Sequence, residues 1–171
     1  MINNFNTAEE LRKAVATERP HINVDSVLRL DFPFMDYEDE NFTLINVPSY
    51  DEENPHNFIF TSGEQNFIYS QTNLNNLEQK FKSLLKKKYG ESTIVTFLIL
   101  KSVLKNYSQE FFSIRNKMDE LDLDPLLDSI EDTGRALRKL TDRVEGLMQV
   151  IIELKEKEVE SFDTTLIQFD Y

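Results

Sequence analysis

The stretch that determines the architecture of this chain runs from Phe97 to Leu154 and reads FLILKSVLKNYSQEFFSIRNKMDELDLDPLLDSIEDTGRALRKLTDRVEGLMQVIIEL. Apolar or aromatic side chains recur in it at alternating spacings of three and four residues, a heptad pattern typical of amphipathic helices that pack side by side. The first set comprises Phe97, Leu100, Leu104, Tyr107, Phe111, Ile114, Met118 and Leu121. The second set comprises Ile130, Thr133, Leu137, Leu140, Val144, Leu147, Ile151 and Leu154. We therefore predict two long helices, each of which buries its heptad face against the other.

The segment LDLDP separates the two heptads. Asp124 suits the N-cap of a helix and Pro125 suits its first position, so the second helix begins there. The helices then form an antiparallel hairpin with its turn near residues 119–125. Arms of roughly 30 and 36 residues would be about 45 and 54 Å long. We expect a hairpin of that length to protrude from a small domain or to lie along a neighbouring subunit.

The turn of this hairpin is unusually acidic. Seven carboxylates and no Lys or Arg lie between Asp119 and Asp132, although each close like-charge pair costs about 1 kcal/mol even in water. One interpretation is a solvated face whose acids favour the start of a helix. The other is that a divalent cation such as magnesium or calcium, or a basic partner surface, meets these oxygen ligands. The candidate metal ligands in the turn are Asp119, Asp122, Asp124 and Asp128.

The N-terminal part has shorter elements. The sequence T-x-x-E at Thr7 to Glu10 is a capping box that predicts a short helix to about Ala16. The run FTLINV at 42–47 predicts a buried strand, and NFIFT and NFIYS around SGEQ predict a β-hairpin. In that β-hairpin we expect Phe58 and Phe60 to share one face of the sheet, and Phe67 and Tyr69 the other.

These elements predict an α+β fold, with a small sheet of at least three strands and flanking helices followed by the long antiparallel helical hairpin. Residues 1–73 are expected to form the small αβ domain and residues 74–160 the helical region. The latter would include a further helix that ends at Gly90. Residues 161–171 are expected to begin another segment.

Composition and motifs narrow the function. The net charge of −12 argues against nucleic acid as a partner. The absence of Cys removes disulfides and thiolate metal sites, and the longest apolar run is too short to span a bilayer, so the chain as given is expected to be soluble. His21 and His56 lie beside Pro without metal-binding spacing, which favours structural or surface roles. No nucleophile with a neighbouring base and no phosphate-binding loop is recognisable, so we expect no enzymatic activity.

The order of these parts resembles the cytoplasmic part of CorA-like magnesium transporters. The segments that carry the resemblance are VDSVLRLDFPFMDYEDENFTLINVP (Val24–Pro48), NFIFTSGEQNFIYS (Asn57–Ser70), TIVTFLILKSVLKNYSQEFFSIRNKMDELD (Thr93–Asp122) and ALRKLTDRVEGLMQVI (Ala136–Ile151). The family's G-M-N signature and its two membrane spans are absent from this sequence. The resemblance therefore implies a soluble fragment of a longer membrane protein, in which residues 161–171 begin a stalk helix.

The resemblance also implies a role. The family's cytoplasmic domain assembles as a homopentamer on the cytoplasmic face of the cell membrane, to which it is attached by its C-terminal helices. It senses intracellular magnesium through carboxylates at subunit interfaces, and Asp25, before Ser26-Val27-Leu28, is the residue that corresponds to one of them. Ser26 stands where the commoner family pattern has a second acid, and helix capping by Asp25 is the alternative.

Two functions therefore follow from the sequence. The first is a cytoplasmic regulatory domain of a divalent-cation transporter that lacks the pore and uses magnesium as a regulatory ion. The second is a soluble cytosolic adaptor whose helical hairpin docks a partner helix. Because the hairpin is expected to bury its heptad faces internally and the net charge is −12, we also predict that this chain alone is mostly monomeric.

Overall fold

The protein forms three layers, in which a five-stranded sheet lies between two short helices and two long ones. The structure is a computed structural model, and it describes residues 2–39, 42–50, 56–62, 65–70, 83, 89–123, 127–157 and 163. The predicted α+β class with a helical hairpin is confirmed. The expected helix before Gly90 (apart from the helical residue 83), the capping pair Asp124 and Pro125, and nearly all of residues 161–171 lie outside the described residues.

The sheet has the strand order β1-β5-β4-β3-β2. Strand β1 pairs in parallel with β5, and the other three pairings are antiparallel. Three of these strands match the predicted segments, while β1 and β2 were not predicted. The strands are β1 (Ile2–Phe5), β2 (Phe34–Asp39), β3 (Phe42–Asn46), β4 (Asn57–Ser62) and β5 (Gln65–Ser70).

The helices occupy both faces of this sheet. They are α1 (Ala8–Glu18), α2 (Val24–Leu28), α3 (Glu91–Leu123) and α4 (Leu127–Glu156). The predicted capping box is confirmed, because the Glu10 amide donates to Thr7 Oγ1 at 3.3 Å and the Thr7 amide donates to the Glu10 carboxylate at 3.3 Å. Helix α1 continues two residues beyond the predicted end at Ala16.

The core is divided by the sheet into two clusters. On one face, α1 and α2 cover an aromatic cluster that includes Phe42, Phe58, Phe60, Phe67 and Tyr69. On the other face, α3 and α4 cover aliphatic residues of the central strands, among them Ile45, Ile59 and Ile68. Because both faces are covered, strand β3 is buried along its whole length, including its polar residues Thr43 and Asn46.

The expectation that the aromatic pairs of the β-hairpin point to opposite faces is wrong. Phe58 lies opposite Tyr69, and Phe60 lies opposite Phe67. Directly opposed residues of an antiparallel pair project to the same side of the sheet. All four side chains consequently pack in the aromatic cluster beneath α1 and α2.

The expectation that the helical hairpin buries its heptad faces internally is also wrong for part of each arm. Phe111, Met118 and Ile130 belong to the predicted heptads, yet they are 49%, 47% and 46% exposed. The reason is that α3 and α4 must pack against the sheet as well as against each other. The buried side of each helix therefore includes residues such as Val103 and Arg143, which are not heptad positions. The distal halves of both arms have few buried residues.

Two glycines interrupt helix α4. At Gly146 an added Cβ would lie 2.8 Å from the carbonyl oxygen of Pro33, so this glycine permits the close approach of α4 to the chain before β2. At Gly134 an added Cβ would meet nothing within 4 Å. Contacts with the described residues therefore account for Gly146 but not for Gly134.

Among the described residues, no helix combines the length and the apolar character needed to cross a membrane.

Candidate functional site

The acidic end of the hairpin is built from the last turns of α3 and the first turn of α4. Asp119 and Asp122 lie near the end of α3, Asp128 lies in the first turn of α4, and all three are exposed. Asp124, the remaining candidate ligand of the turn, lies outside the described residues. The turn thus concentrates negative charge at the end of two stiff arms.

Asp25, the fifth candidate ligand, lies in the first turn of α2 and not at the hairpin. Its carboxylate accepts hydrogen bonds from Arg12 Nη2 at 2.9 Å and Arg12 Nε at 3.1 Å. The pair is half exposed, so its contribution to stability is at most about 1 kcal/mol. The capping alternative for Asp25 is wrong, because the side chain of Asn23 caps this helix by accepting a bond from the Ser26 amide at 3.1 Å.

These carboxylates do not converge on one point in the described part of the chain. Within those ranges, no three His, Asp or Glu side chains are grouped closely enough to hold a metal ion. Asp25 in α2 and the carboxylates of the hairpin turn are therefore two separate candidate metal sites, and both stay predictions.

A charged cluster around the buried Arg143 joins the hairpin to the sheet and was not anticipated from the sequence. Arg143 of α4 is only 4% exposed. Its guanidinium donates to the backbone oxygen of Asp31 at 3.1 Å, to the backbone oxygen of Ser49 at 3.2 Å, and to the Asp31 carboxylate. The guanidinium also lies 4.9 Å from the centre of the Tyr50 ring, a favourable cation–π distance.

A second cation completes this cluster. Lys139, one turn before Arg143, lies with Nζ 2.9 Å from the other carboxylate oxygen of Asp31. Burial alone would raise the pKa of Asp31, but the hydrogen bonds and charges of Lys139 and Arg143 outweigh it and lower the pKa. Asp31 therefore stays ionised between two cations of α4.

The pKa values of two nearby side chains, His56 and Tyr107, are also shifted. Burial lowers the pKa of His56, and the negative charge of Asp31 only partly opposes this. Burial likewise raises the pKa of Tyr107, whose hydroxyl donates to the backbone oxygen of Pro48. Both groups are uncharged at neutral pH, which suits a structural joint better than acid–base chemistry.

Beside this joint lies an open cleft of about 800 Å³. It is formed by one side of α4 and by the segment between α2 and β2. Its lining residues are Asp31, Phe32, Arg135, Arg138, Lys139, Asp142, Glu145, Gly146 and Gln149. Its described lining thus combines three cations with three carboxylates.

Comparison with known proteins supports the fold. No protein-family profile and no curated protein sequence matches this chain. The structure is similar to one described as the soluble domain of CorA from Methanocaldococcus jannaschii, with a TM-score of 0.57 and 16% sequence identity. The similarity covers 98% of this chain and 75% of that one. The chain shares the fold of that soluble domain.

Proposed function

We propose that this chain is the cytoplasmic regulatory domain of a CorA-like divalent-cation transporter. The observation that carries the proposal is the likeness of almost the entire chain, sheet and hairpin together, to the soluble domain of CorA. A likeness over 98% of the chain supports a shared arrangement of the whole domain and not only a common helical motif. In this proposal the domain has no catalytic role and acts within a homopentamer on the cytoplasmic face of the membrane.

Magnesium is the proposed regulatory ion. Its sites would be the carboxylates of Asp25 and of the hairpin turn, namely Asp119, Asp122, Asp124 and Asp128. Oxygen ligands suit this hard cation, and binding to the folded state alone raises the melting temperature as the ligand exceeds its dissociation constant. A sensor of an abundant cation must bind weakly, so we expect saturation in the millimolar range and little discrimination against calcium.

Thermal melts of the chain test this proposal. Magnesium chloride should raise the melting temperature more than sodium chloride of the same ionic strength, since sodium only screens the repulsion. Asp25→Ala should remove part of the magnesium-specific increase. Glu9→Ala is the matched control, because Glu9 also forms an exposed ion pair, with Lys13 at 2.8 Å. Equal curves in both salts would reject magnesium binding and return the carboxylates to a solvated surface.

The membrane context has a separate test. Two apolar segments of about 20 residues encoded after Tyr171 in the same reading frame would support a transporter domain. A stop codon at that point would support the second candidate, a soluble adaptor that docks a partner helix. The exposed Phe111 and Phe112 on the hairpin favour that alternative.

A further inference from the structure

A row of polar side chains crosses the face of the sheet that α3 and α4 cover. Its members are direct neighbours on β3, β4 and β5. Each lies two residues from an isoleucine of the cluster beneath α3 and α4 and therefore projects to the same face of the sheet. All are at most 2% exposed. We call them the polar row, and they are Thr43, Thr61 and Asn66.

Helix α3 lies across this row. The Asn66 amide nitrogen donates to Ser92 Oγ at 2.7 Å, and the Tyr107 hydroxyl, about four turns further along α3, donates to the backbone oxygen of Pro48 just after β3. Both ends of one stripe of α3 are thereby tied to the sheet side. The stripe repeats at spacings of three and four residues and comprises Ser92, Thr96, Ile99, Val103 and Tyr107. Thr96 therefore faces the sheet one turn after Ser92, and it is 1% exposed.

Three buried polar atoms of this region have no hydrogen-bond partner in the described part of the chain. They are Thr43 Oγ1, Asn66 Oδ1 and Thr96 Oγ1. The hydroxyl of Thr61 does not satisfy its neighbour's hydroxyl, because it is directed to the backbone oxygen of Thr43 at 3.4 Å. Turning the Asn66 amide over would pair its oxygen but leave its nitrogen unpaired. Buried polar atoms are nearly always hydrogen-bonded, so these three atoms indicate a bound polar ligand.

We propose that the space between the polar row and Thr96 is an internal hydration site. A water molecule donates two hydrogen bonds and accepts two. Asn66 Oδ1 can only accept, whereas the hydroxyls of Thr43 and Thr96 can donate or accept, so water can pair with all three. A buried water typically makes about three hydrogen bonds, which sets the expected occupancy at about one or two molecules.

Water suits this site better than a cation does. The three unpartnered atoms are uncharged oxygens, and burying a charge without an opposite charge is far more unfavourable than burying a neutral polar molecule. The next row of the same sheet face is formed by Ile45, Ile59 and Ile68, so apolar side chains close the site on that side. A molecule held there exchanges slowly and ties the first turns of α3 to the sheet, independently of the transporter assignment.

Magnetic relaxation dispersion of the water signal, recorded on the 171-residue chain, tests the proposal, because it detects water molecules that stay bound for longer than the protein takes to rotate. We expect Thr96→Val and Thr43→Val each to reduce the amplitude of the dispersion. Thr96→Ser keeps the hydroxyl and should retain the amplitude. Thr141→Val is the matched control, since Thr141 is exposed on α4 and its hydroxyl donates to the backbone oxygen of Leu137 at 2.9 Å.

The sign of the change in stability gives a second readout. Valine has the shape of threonine but no hydroxyl. Removing a hydroxyl that binds water should therefore lower the melting temperature by about 2–4 °C, whereas removing an unpaired hydroxyl should raise it. Thermal melts of Thr96→Val and Thr43→Val measure this change, and circular dichroism at low temperature verifies the fold. An unchanged dispersion amplitude in both valine variants, or a higher melting temperature, would overturn the proposal.

A monovalent cation is the rival occupant. Sodium chloride, potassium chloride and tetramethylammonium chloride of the same ionic strength should give the same melting temperature, because water fills the site in each. A saturable increase of the melting temperature in sodium or potassium chloride that Thr96→Val abolishes would assign the site to a cation and overturn the hydration proposal.

Discussion

Replacing Arg143 by Met tests whether the buried arginine fixes the hairpin against the sheet. Met keeps most of the apolar length of the side chain but removes the three hydrogen bonds to Asp31 and Ser49. Each hydrogen bond that involves a charged group is worth about 1.5–3 kcal/mol, and breaking a buried ion pair costs about 3–5 kcal/mol.

The expected loss in the free energy of unfolding is smaller than these values, because part of the cluster is exposed to solvent. The Asp31 side chain is 59% exposed, and Lys139 would still pair with it, so the carboxylate is not left unsatisfied. The two backbone carbonyls lose their donor, and water can reach them only in part. We therefore expect Arg143→Met to lower the free energy of unfolding by about 2–4 kcal/mol.

The partner variant should behave differently. Asp31→Ala removes a half-exposed carboxylate, while Arg143 retains its bond to Ser49 and its contact with Tyr50. We expect a loss of only about 1–2 kcal/mol. Urea unfolding at low protein concentration measures both values, provided that the m-value is unchanged.

Arg135→Met is the matched control, because Arg135 lies on the same helix in an exposed pair with Asp132. We expect Arg135→Met to lower the free energy of unfolding by less than about 1 kcal/mol. If Arg143→Met cost no more than this control, the hydrogen bonds of Arg143 would not hold the joint together. If Asp31→Ala lowered the free energy of unfolding more than Arg143→Met, the bonds from Arg143 to the backbone carbonyls would not be the dominant stabilising contacts of the joint.

Three further predictions concern acidity and helix α4. Because the pKa of Asp31 is lowered in the folded state, its carboxylate stabilises the fold at pH values above the unfolded pKa near 3.8, and this stabilisation is lost as the pH falls through the folded pKa. In Asp31→Asn, the free energy of unfolding measured with urea should therefore decrease less steeply in this acidic range. The pKa of His56 is also lowered, by burial, so acidification below its usual value of 6.5 should destabilise the protein, and His56→Gln should remove that step. Gly134→Ala should stabilise the protein by up to about 1 kcal/mol, whereas Gly146→Ala should destabilise it because the new Cβ meets Pro33. Thermal melts at low concentration would contradict this prediction if both variants shifted the melting temperature in the same direction.

The extent to which the fold could be predicted differs between its parts. The heptads between Phe97 and Leu154 predicted both long helices, since a period of three and four residues has no other common explanation. They did not predict which side of each helix is buried, because the sheet adds a second packing surface that a heptad does not encode. Phe111 and Ile130 fit the pattern and are nevertheless half exposed.

The two unpredicted strands are the two edges of the sheet. Edge strands tolerate charged and polar residues because one side of the backbone is open to solvent. Strand β1 reads INNF and β2 reads FMDYED, and neither has the concentration of apolar and β-branched residues that revealed β3.

The charged joint could not be found from the sequence at all. Asp31 and Arg143 are 112 residues apart, and each stands in an ordinary charged context. A single sequence contains no signal that pairs two such residues; only the fold brings them together. The candidate carboxylates of the acidic turn, in contrast, were found because they lie close together in the sequence.

The joint between Arg143 and Asp31 also sets the rotation of helix α4. Arg143 points toward the sheet and bonds to the segments on either side of β2 and β3, which sets the rotation of the helix about its axis. Gly134 lies nine residues away on the same continuous helix, so its direction is set by the same bonds. Because Arg143 points inward, the exposed apolar residues Leu127, Ile130 and Met148 of α4 are held outward.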